Sequence, residues 1–467
     1  MTIELITIFI YLTIVFTLAY FSRTRRQDNK SKSSAIQDQY LAGRSINSFE
    51  SLFSIIATEV SALTFIGIPA FAFGMDFRFI YLYFGAIVGR TILAIFYLPK
   101  FYHGQTTIYE KITTNYPSRV FISLVYTVTK FLSIGVRLYS GSILLSQYFQ
   151  VDIYFAILAL SALTMIYTMI GGLKAVVRTD VIQTLIFISG GIAAHLIIPE
   201  ISGKQWGDML YEGWQNNKIF TPSISYTKII AIGFFGGIVF DMATHGVDQD
   251  FVQRLLATKT LRQAQKSIIL SSFLSIFVGL LFLSIGTLLW SYHQTVPLGD
   301  GVKTDYVFAV FITSNFPPFL KGLMLSGVLA ATMSTLDSTI NALSSCMSTD
   351  FFPNRSAKNI QAWMRFDAII ITIILVGISF VASQSQEILT LGLKIASWSG
   401  GFLLFCLTFS VFKIKRLTLT EYVFAYVVNL LVIYIFHIKY NWPWQWNTFI
   451  SLFFCSSIFS LKRLKKV

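Results

Sequence analysis

The sequence predicts an all-α polytopic membrane protein, and three observations carry that reading. Apolar residues make up 54% of the 467, aromatics 16% and charged residues 12%, against about 25% charged in an ordinary soluble domain. Apolar runs near the roughly 20 residues needed to cross a hydrocarbon layer recur along the whole chain. Basic residues then collect in alternate connections between those runs, which is the pattern that sets orientation in a bilayer.

The runs fall near 3–22, 50–74, 78–98, 120–147, 153–172, 175–198, 227–250, 267–291, 319–347, 364–384, 387–412, 419–437 and 445–461, about 13 transmembrane helices. One set of connections carries Arg23, Arg25, Arg26, Lys30, Lys32 and Arg44, then Lys100, Lys111, Arg119, Lys174, Arg178, Arg254, Lys259, Arg262 and Lys266. The same set continues with Arg355, Lys358, Arg365, Lys413, Lys415, Arg416 and the tail Lys462, Arg463, Lys465 and Lys466. The other set holds Arg78, Lys204, Lys218, Lys303 and Lys439. This asymmetry places the N-terminus outside and the C-terminus inside. The net charge of +14 is therefore an orientation signal, and no nucleic acid is expected as a partner.

The first run follows Met-Thr-Ile-Glu with no basic residue before it, so it reads as a retained helix and not a cleaved signal. Cys346, Cys406 and Cys455 lie in apolar stretches without ligand spacing and read as small core residues. The longest connections, 23–49 and 199–226, are too short to separate soluble domains, so residues 1–467 form a single membrane domain. No Walker loop is present to power ATP-driven transport. His103, His195, His245, His293 and His437 are scattered without metal or catalytic spacing, so neither an enzyme nor a cofactor is expected.

Two runs carry interruptions. In Ala57-Thr58-Glu59-Val60-Ser61-Ala62-Leu63-Thr64-Phe65-Ile66-Gly67-Ile68-Pro69, Pro69 removes a backbone donor and Gly67 eases unwinding. The seventh run holds Gly233, Gly236, Gly237 and Gly246 around Asp241. Broken helices at mid-membrane are tolerated where freed carbonyls face a cavity or an ion; the competing reading is that glycine admits close helix packing.

Charges inside apolar runs are costly unless paired or hydrated, so Glu59, Arg90, Arg137, Asp180, Asp241, Asp337 and Lys394 are functional candidates. The ninth run reads Ala330-Ala331-Thr332-Met333-Ser334-Thr335-Leu336-Asp337-Ser338-Thr339-Ile340-Asn341. Ser334, Asp337, Ser338 and Asn341 follow i, i+3, i+4, i+7 spacing and form one polar stripe. Such oxygens suit a small hard cation, or else a serine/threonine ladder that satisfies neighbouring helices; the carboxylate favours the ion.

These segments, together with Tyr40-Leu41-Ala42-Gly43-Arg44-Ser45, Gly171-Gly172-Leu173-Lys174-Ala175-Val176-Val177-Arg178-Thr179-Asp180, Asp248-Gln249-Asp250-Phe251-Val252-Gln253-Arg254 and Pro317-Pro318-Phe319-Leu320-Lys321-Gly322, stand in a familiar order. The chain resembles the sodium/solute symporter family, which includes sodium/glucose, sodium/proline and bacterial sodium/sialic-acid cotransporters. The resemblance runs over nearly the whole length.

It implies two five-helix inverted repeats of the LeuT-like type, here 50–198 and 227–412, with an additional helix at 3–22 and two more across 419–461. It implies a sodium site at Ala57, Val60, Ala331, Ser334 and Thr335. A second sodium would lie near Asp180, with Ser334, Asp337 and Ser338 as partners. Asp337 departs from the serine common at its position, and favours that second sodium or replaces it by binding a proton. One or two sodium ions are thus the coupling ions. The solute positions implied are Ser61, Thr64, Phe79, Tyr83, Arg137 and Asp241. Arg137 awaits either the solute's carboxylate or a structural pair with Glu59 or Asp241. Glu59 also departs from most relatives: it senses a cationic group, shapes sodium affinity or neutralises Arg137. The expectation is a monomeric, sodium-coupled importer of a small polar solute, in the lipid bilayer of the cell membrane. A carboxylated solute such as a sialic acid leads; a neutral sugar, a proline-type amino acid, or a sensor without transport are the alternatives.

Overall fold

A computed structural model describes residues 2–464 apart from 23–31, 105, 170–171, 221–223, 300–301, 356–358 and 386–387. Gly171, Arg23, Arg25, Arg26, Lys30, Lys358, Lys465 and Lys466, used above for motif and orientation, lie outside the described residues. The elements that matter for function are all helices: α1 (Ile3–Ser22), α2 (Ser48–Glu59), α3 (Ala62–Gly74), α4 (Ile80–Ile92), α5 (Tyr116–Phe149), α6 (Ile153–Thr168), α7 (Leu173–Ser202), α8 (Ile224–Val247), α9 (Gln249–Leu256), α10 (Leu261–His293), α11 (Pro318–Cys346), α12 (Ile360–Ala382), α13 (Ile388–Val411), α14 (Leu419–Ile433) and α15 (Asn447–Leu464).

Among the described residues ten helices are long and apolar enough to cross a membrane, and up to eleven when the bent pair α2/α3 is counted as one span. Of the thirteen runs expected, α6 keeps only 16 residues, short of the roughly 20 that span a bilayer. The structure supports a helical membrane protein of about ten spans.

The interruption in the first pair lies elsewhere than the sequence suggested. Pro69 sits inside α3, and the chain bends by 57° between α2 and α3 at Val60 and Ser61. Val60 takes extended angles (φ −83°, ψ 98°), and Ser61 then caps α3 in a reciprocal box with Thr64. The cap satisfies donors that a helix start would otherwise orphan, so the break is stabilised there and not at the proline.

The seventh run also differs. α8 runs unbroken through Gly233, Gly236 and Gly237, and the chain turns only at Asp248, the N-cap of α9. The glycines serve packing. A Cβ at Gly85 would stand 2.3 Å from the Phe234 carbonyl oxygen, one at Gly89 2.6 Å from that of Ile238, and one at Gly237 2.6 Å from that of Leu82. Four-residue glycine spacing on α4 and α8 thus lets two backbones touch, which brings Arg90 of α4 against Asp241 of α8. At the centre stands α11, where every residue from Met324 to Cys346 is buried. A helix enclosed on all sides can present its polar stripe only to other protein.

Candidate functional site

The bend between α2 and α3 frees backbone oxygens. In a continuous helix the Ala57 carbonyl would accept from Ser61 N–H and the Val60 carbonyl from Thr64 N–H. Here Ser61 N–H donates to the Thr64 hydroxyl (3.3 Å) and Thr64 N–H to the Ser61 carbonyl (2.8 Å). Ala57 and Val60, with Ala331, Ser334, Gln183, Thr184 and Phe187, line a cavity of about 10 Å³, room for roughly one water or small ion. Nothing in the sequence marks Gln183, yet its Oε1 is buried without a hydrogen-bond partner among the described residues. Two freed carbonyls, an amide oxygen and a hydroxyl are a donor set that suits a hard cation. Thr335 does not line this cavity; its hydroxyl donates to the Ala331 carbonyl at 2.8 Å.

The polar stripe of α11 meets α7 and α9. Asp180, fully buried, accepts from Ser334 Oγ at 2.6 Å through Oδ1 and from Ser54 Oγ and Arg254 Nη2 (3.3 Å) through Oδ2. Ser338 Oγ contacts Arg254 Nη2 and lies 3.4 Å from Asp337 Oδ1, while Asp337 Oδ2 is buried without a partner. Gln253 donates to Asn341 at 3.0 Å. Asp180, Ser334, Asp337 and Ser338 are thus neighbours, but around a guanidinium the sequence reading did not place there. The charge pattern places Arg254 in a basic connection; α9 instead folds inward and buries it completely.

Ser61, Thr64, Phe79, Tyr83, Arg137 and Asp241 line a single cavity of about 150 Å³, together with Glu59, Lys130, His245, Asp248 and Trp444 among others. Phe79 and Tyr83 meet edge to face with ring centroids 5.7 Å apart. The pairing of Arg137 with Glu59 or Asp241, left open by the sequence, does not occur, because both acids belong to Arg90. Arg90 Nε and Nη2 each lie 3.1 Å from one oxygen of Asp241, a fork-to-fork pair, and Nη2 is 2.7 Å from Glu59 Oε2. Arg137 donates from Nη1 to the Thr58 carbonyl at 3.2 Å, and its Nε is buried without a partner. Lys130, absent from the sequence candidates, pairs with Asp248 (2.8 Å) and Asp250 (2.6 Å) across the turn between α8 and α9.

A helical bundle with a broken span, a small oxygen-lined cavity at the break and a larger cavity lined in part by charged side chains has the parts of a membrane transporter. The family model described as "Sodium:solute symporter family" matches residues 39–420, and the chain belongs to that family. It is a sodium-coupled symporter, a multi-pass protein of the cell membrane and not an enzyme. It is 26% identical over 368 residues to the sodium/sialic acid symporter of Proteus mirabilis (strain HI4320), covering 77% of this chain and 73% of the relative. To the sodium/glucose cotransporter of Vibrio parahaemolyticus it is 25% identical over 386 residues, 75% of this chain and 68% of the relative. The fold superposes with a TM-score of 0.84 on a Na+-coupled sialic acid symporter solved in a substrate-bound outward-open state, at 22% identity over 97% of this chain and 96% of that one. A nucleobase-cation-symport-1 family transporter in a closed conformation matches with a TM-score of 0.58 at 14% identity, over 89% of this chain and 92% of that one.

Proposed function

We propose that the protein imports a small carboxylated polar solute, the class to which sialic acids belong, together with sodium by alternating access. Arg137 carries this reading. Its guanidinium lines the cavity, forms no ion pair among the described residues and keeps one donor unmatched. A buried guanidinium in that state calls for an acceptor pair, and a solute carboxylate supplies it in bidentate form. Ser61 and Thr64 at the start of α3 add the positive end of a helix dipole to the same cavity. The likeness to symporters described as carrying sialic acid supports the assignment.

In this scheme one sodium binds at Ala57, Val60, Ala331, Ser334 and Thr335, the last after its hydroxyl turns from the Ala331 carbonyl. A second cation binds among Asp180, Ser334, Asp337 and Ser338, or Asp337 takes a proton in its place. The repeats 50–198 and 227–412 rock against each other within a monomer of thirteen spans, N-terminus outside and C-terminus inside, with 3–22 and 419–461 as flanking helices. Each sodium charge driven inward contributes about 2.3 kcal/mol per 100 mV.

The test is the unfolding temperature of purified protein with sialic acids, sugars and amino acids, in sodium and in potassium. Carboxylated solutes are expected to raise it in sodium alone. An equal rise with neutral sugars, or no dependence on sodium, would overturn the reading.

A further inference from the structure

We infer that the solute also carries a positively charged nitrogen, and that Glu59 and Asp241 receive it: the cavity is built for a zwitterion. The inference rests on the proposed seating of the carboxylate at Arg137. Glu59, Asp241 and Arg137 line the same cavity, yet neither acid pairs with Arg137. Arg90 holds both acids from behind. Its Nε faces Asp241, its Nη2 faces Asp241 and Glu59, and its Nη1 donates to Ser271 (2.7 Å) and Ser275 (3.2 Å).

Every nitrogen of that guanidinium is committed, but one positive charge stands against two negative ones. The surplus is presented forward. The Arg90 side chain is wholly buried, whereas those of Glu59 and Asp241 keep 18% and 11% of their surface. Glu59 Oε2 is bound by Arg90 and by Ser275 (2.8 Å), and its Oε1 accepts no hydrogen bond from the described residues. His245 Nδ1 approaches Asp241 Oδ1 at 3.3 Å, and its Nε2 is buried without a partner. Lys130, the other cation lining the cavity besides Arg137, is held by Asp248 and Asp250.

The cavity therefore carries a guanidinium at Arg137 and, apart from it, an acidic pair that forms no ion pair with it. Arg137 Nε lacks a partner and the acids outnumber the cation that holds them, so a ligand that adds an acceptor at one end and a cation at the other is selected over one that adds either alone. An anion without a cationic group would satisfy Arg137 while bringing negative charge towards the Glu59–Asp241 pair.

The experiment uses the full-length protein in proteoliposomes under an inward sodium gradient. The probes are proline, alanine, serine and glutamine, their counterparts with oxygen in place of the amine, their carboxamides, and N-acetylneuraminic acid. A zwitterion is expected to accumulate at least about tenfold above its oxygen counterpart and its carboxamide. Glu59→Gln is expected to shrink the first ratio by about tenfold through KM, with the sodium dependence of uptake unchanged.

The inference falls if the oxygen counterparts or N-acetylneuraminic acid match the zwitterions, if no zwitterion accumulates, or if Glu59→Gln raises the sodium requirement and leaves the ratio intact. Failure of the underlying carboxylate reading looks different: the carboxamides would then accumulate as well as both carboxylated sets.

Discussion

Around Arg90 two carboxylates, Glu59 and Asp241, are gripped by a guanidinium whose donors are all matched, in a geometry that includes a bidentate fork. Around Arg254 two carboxylates also gather, yet the guanidinium pairs with one of them, Asp180 at 3.3 Å, and gives its other donors to the Asp250 and Ser54 carbonyls and to the Ser54 and Ser338 hydroxyls. Asp337 keeps a bare oxygen. The first cluster is fixed and opens on the larger cavity; the second is sealed, rich in hydroxyls and incompletely satisfied. Fixed charge suits recognition of a solute with set geometry, whereas hydroxyls and an unmatched carboxylate suit a cation that arrives and leaves with each cycle.

The largest expected effect breaks the first cluster. Arg90→Ala would strand the buried Asp241 and the half-buried Glu59 and should destabilise the protein by about 3 kcal/mol, read as a lowered unfolding temperature or loss of monodisperse protein in detergent. A variant as stable as the wild type would mean that the cluster is hydrated and that its contrast with the Arg254 cluster is illusory.

A smaller effect sharpens the second cluster. Ser334 touches both the small cavity at the break, the proposed sodium site, and Asp180, so Ser334→Ala should raise the sodium concentration for half-maximal uptake by about tenfold, roughly one lost hydrogen bond to a charge. Asp337→Ala should raise it less. The reverse order in sodium-dependent uptake would make the cation at Asp337 the dominant coupling site.

The smallest effect supplies a solvent-exposed reference. In the helix Trp206–Gln215, outside the spans, Glu212 is held below the ordinary glutamate value of 4.5 by its bond to Lys204, helped by Ser291. Its contribution to stability is complete above that ordinary value and is lost as the pH falls through the lowered one. After solvent screening it is worth under about 1 kcal/mol, so Glu212→Gln should remove a slight acid-side loss in a pH series of unfolding temperatures. A change as large as that for Arg90→Ala would contradict the difference between exposed and buried pairs.

Much of this was legible in the sequence because a bilayer constrains it: apolar length and charge deficit announced the helices, and Glu59, Arg137, Asp180, Asp241 and Asp337 stood out as charges in apolar runs. What stayed hidden was pairing. The sequence offers no partner for Arg90 and makes Arg254 look like a loop charge, because which arginine meets which acid is decided by helices distant in sequence. The breaks were misplaced for a local reason. Gly233 and Gly237 and the pair Gly85 and Gly89 share a spacing that signals close packing, while Ser61 and Thr64 hide a helix start within an apolar run. Gln183 gave no signal at all, since one amide on a long helix is ordinary until a cavity forms beside it.

The central claim is that sodium drives a carboxylated solute onto Arg137. Uptake into proteoliposomes under an imposed sodium gradient, with wild type and Arg137→Gln side by side, tests it most directly. The account predicts that a carboxylated solute accumulates only with the inward gradient and that Arg137→Gln lowers kcat/KM for it by about 100-fold or more. Accumulation that ignores the gradient, or that survives loss of the guanidinium unchanged, would contradict it.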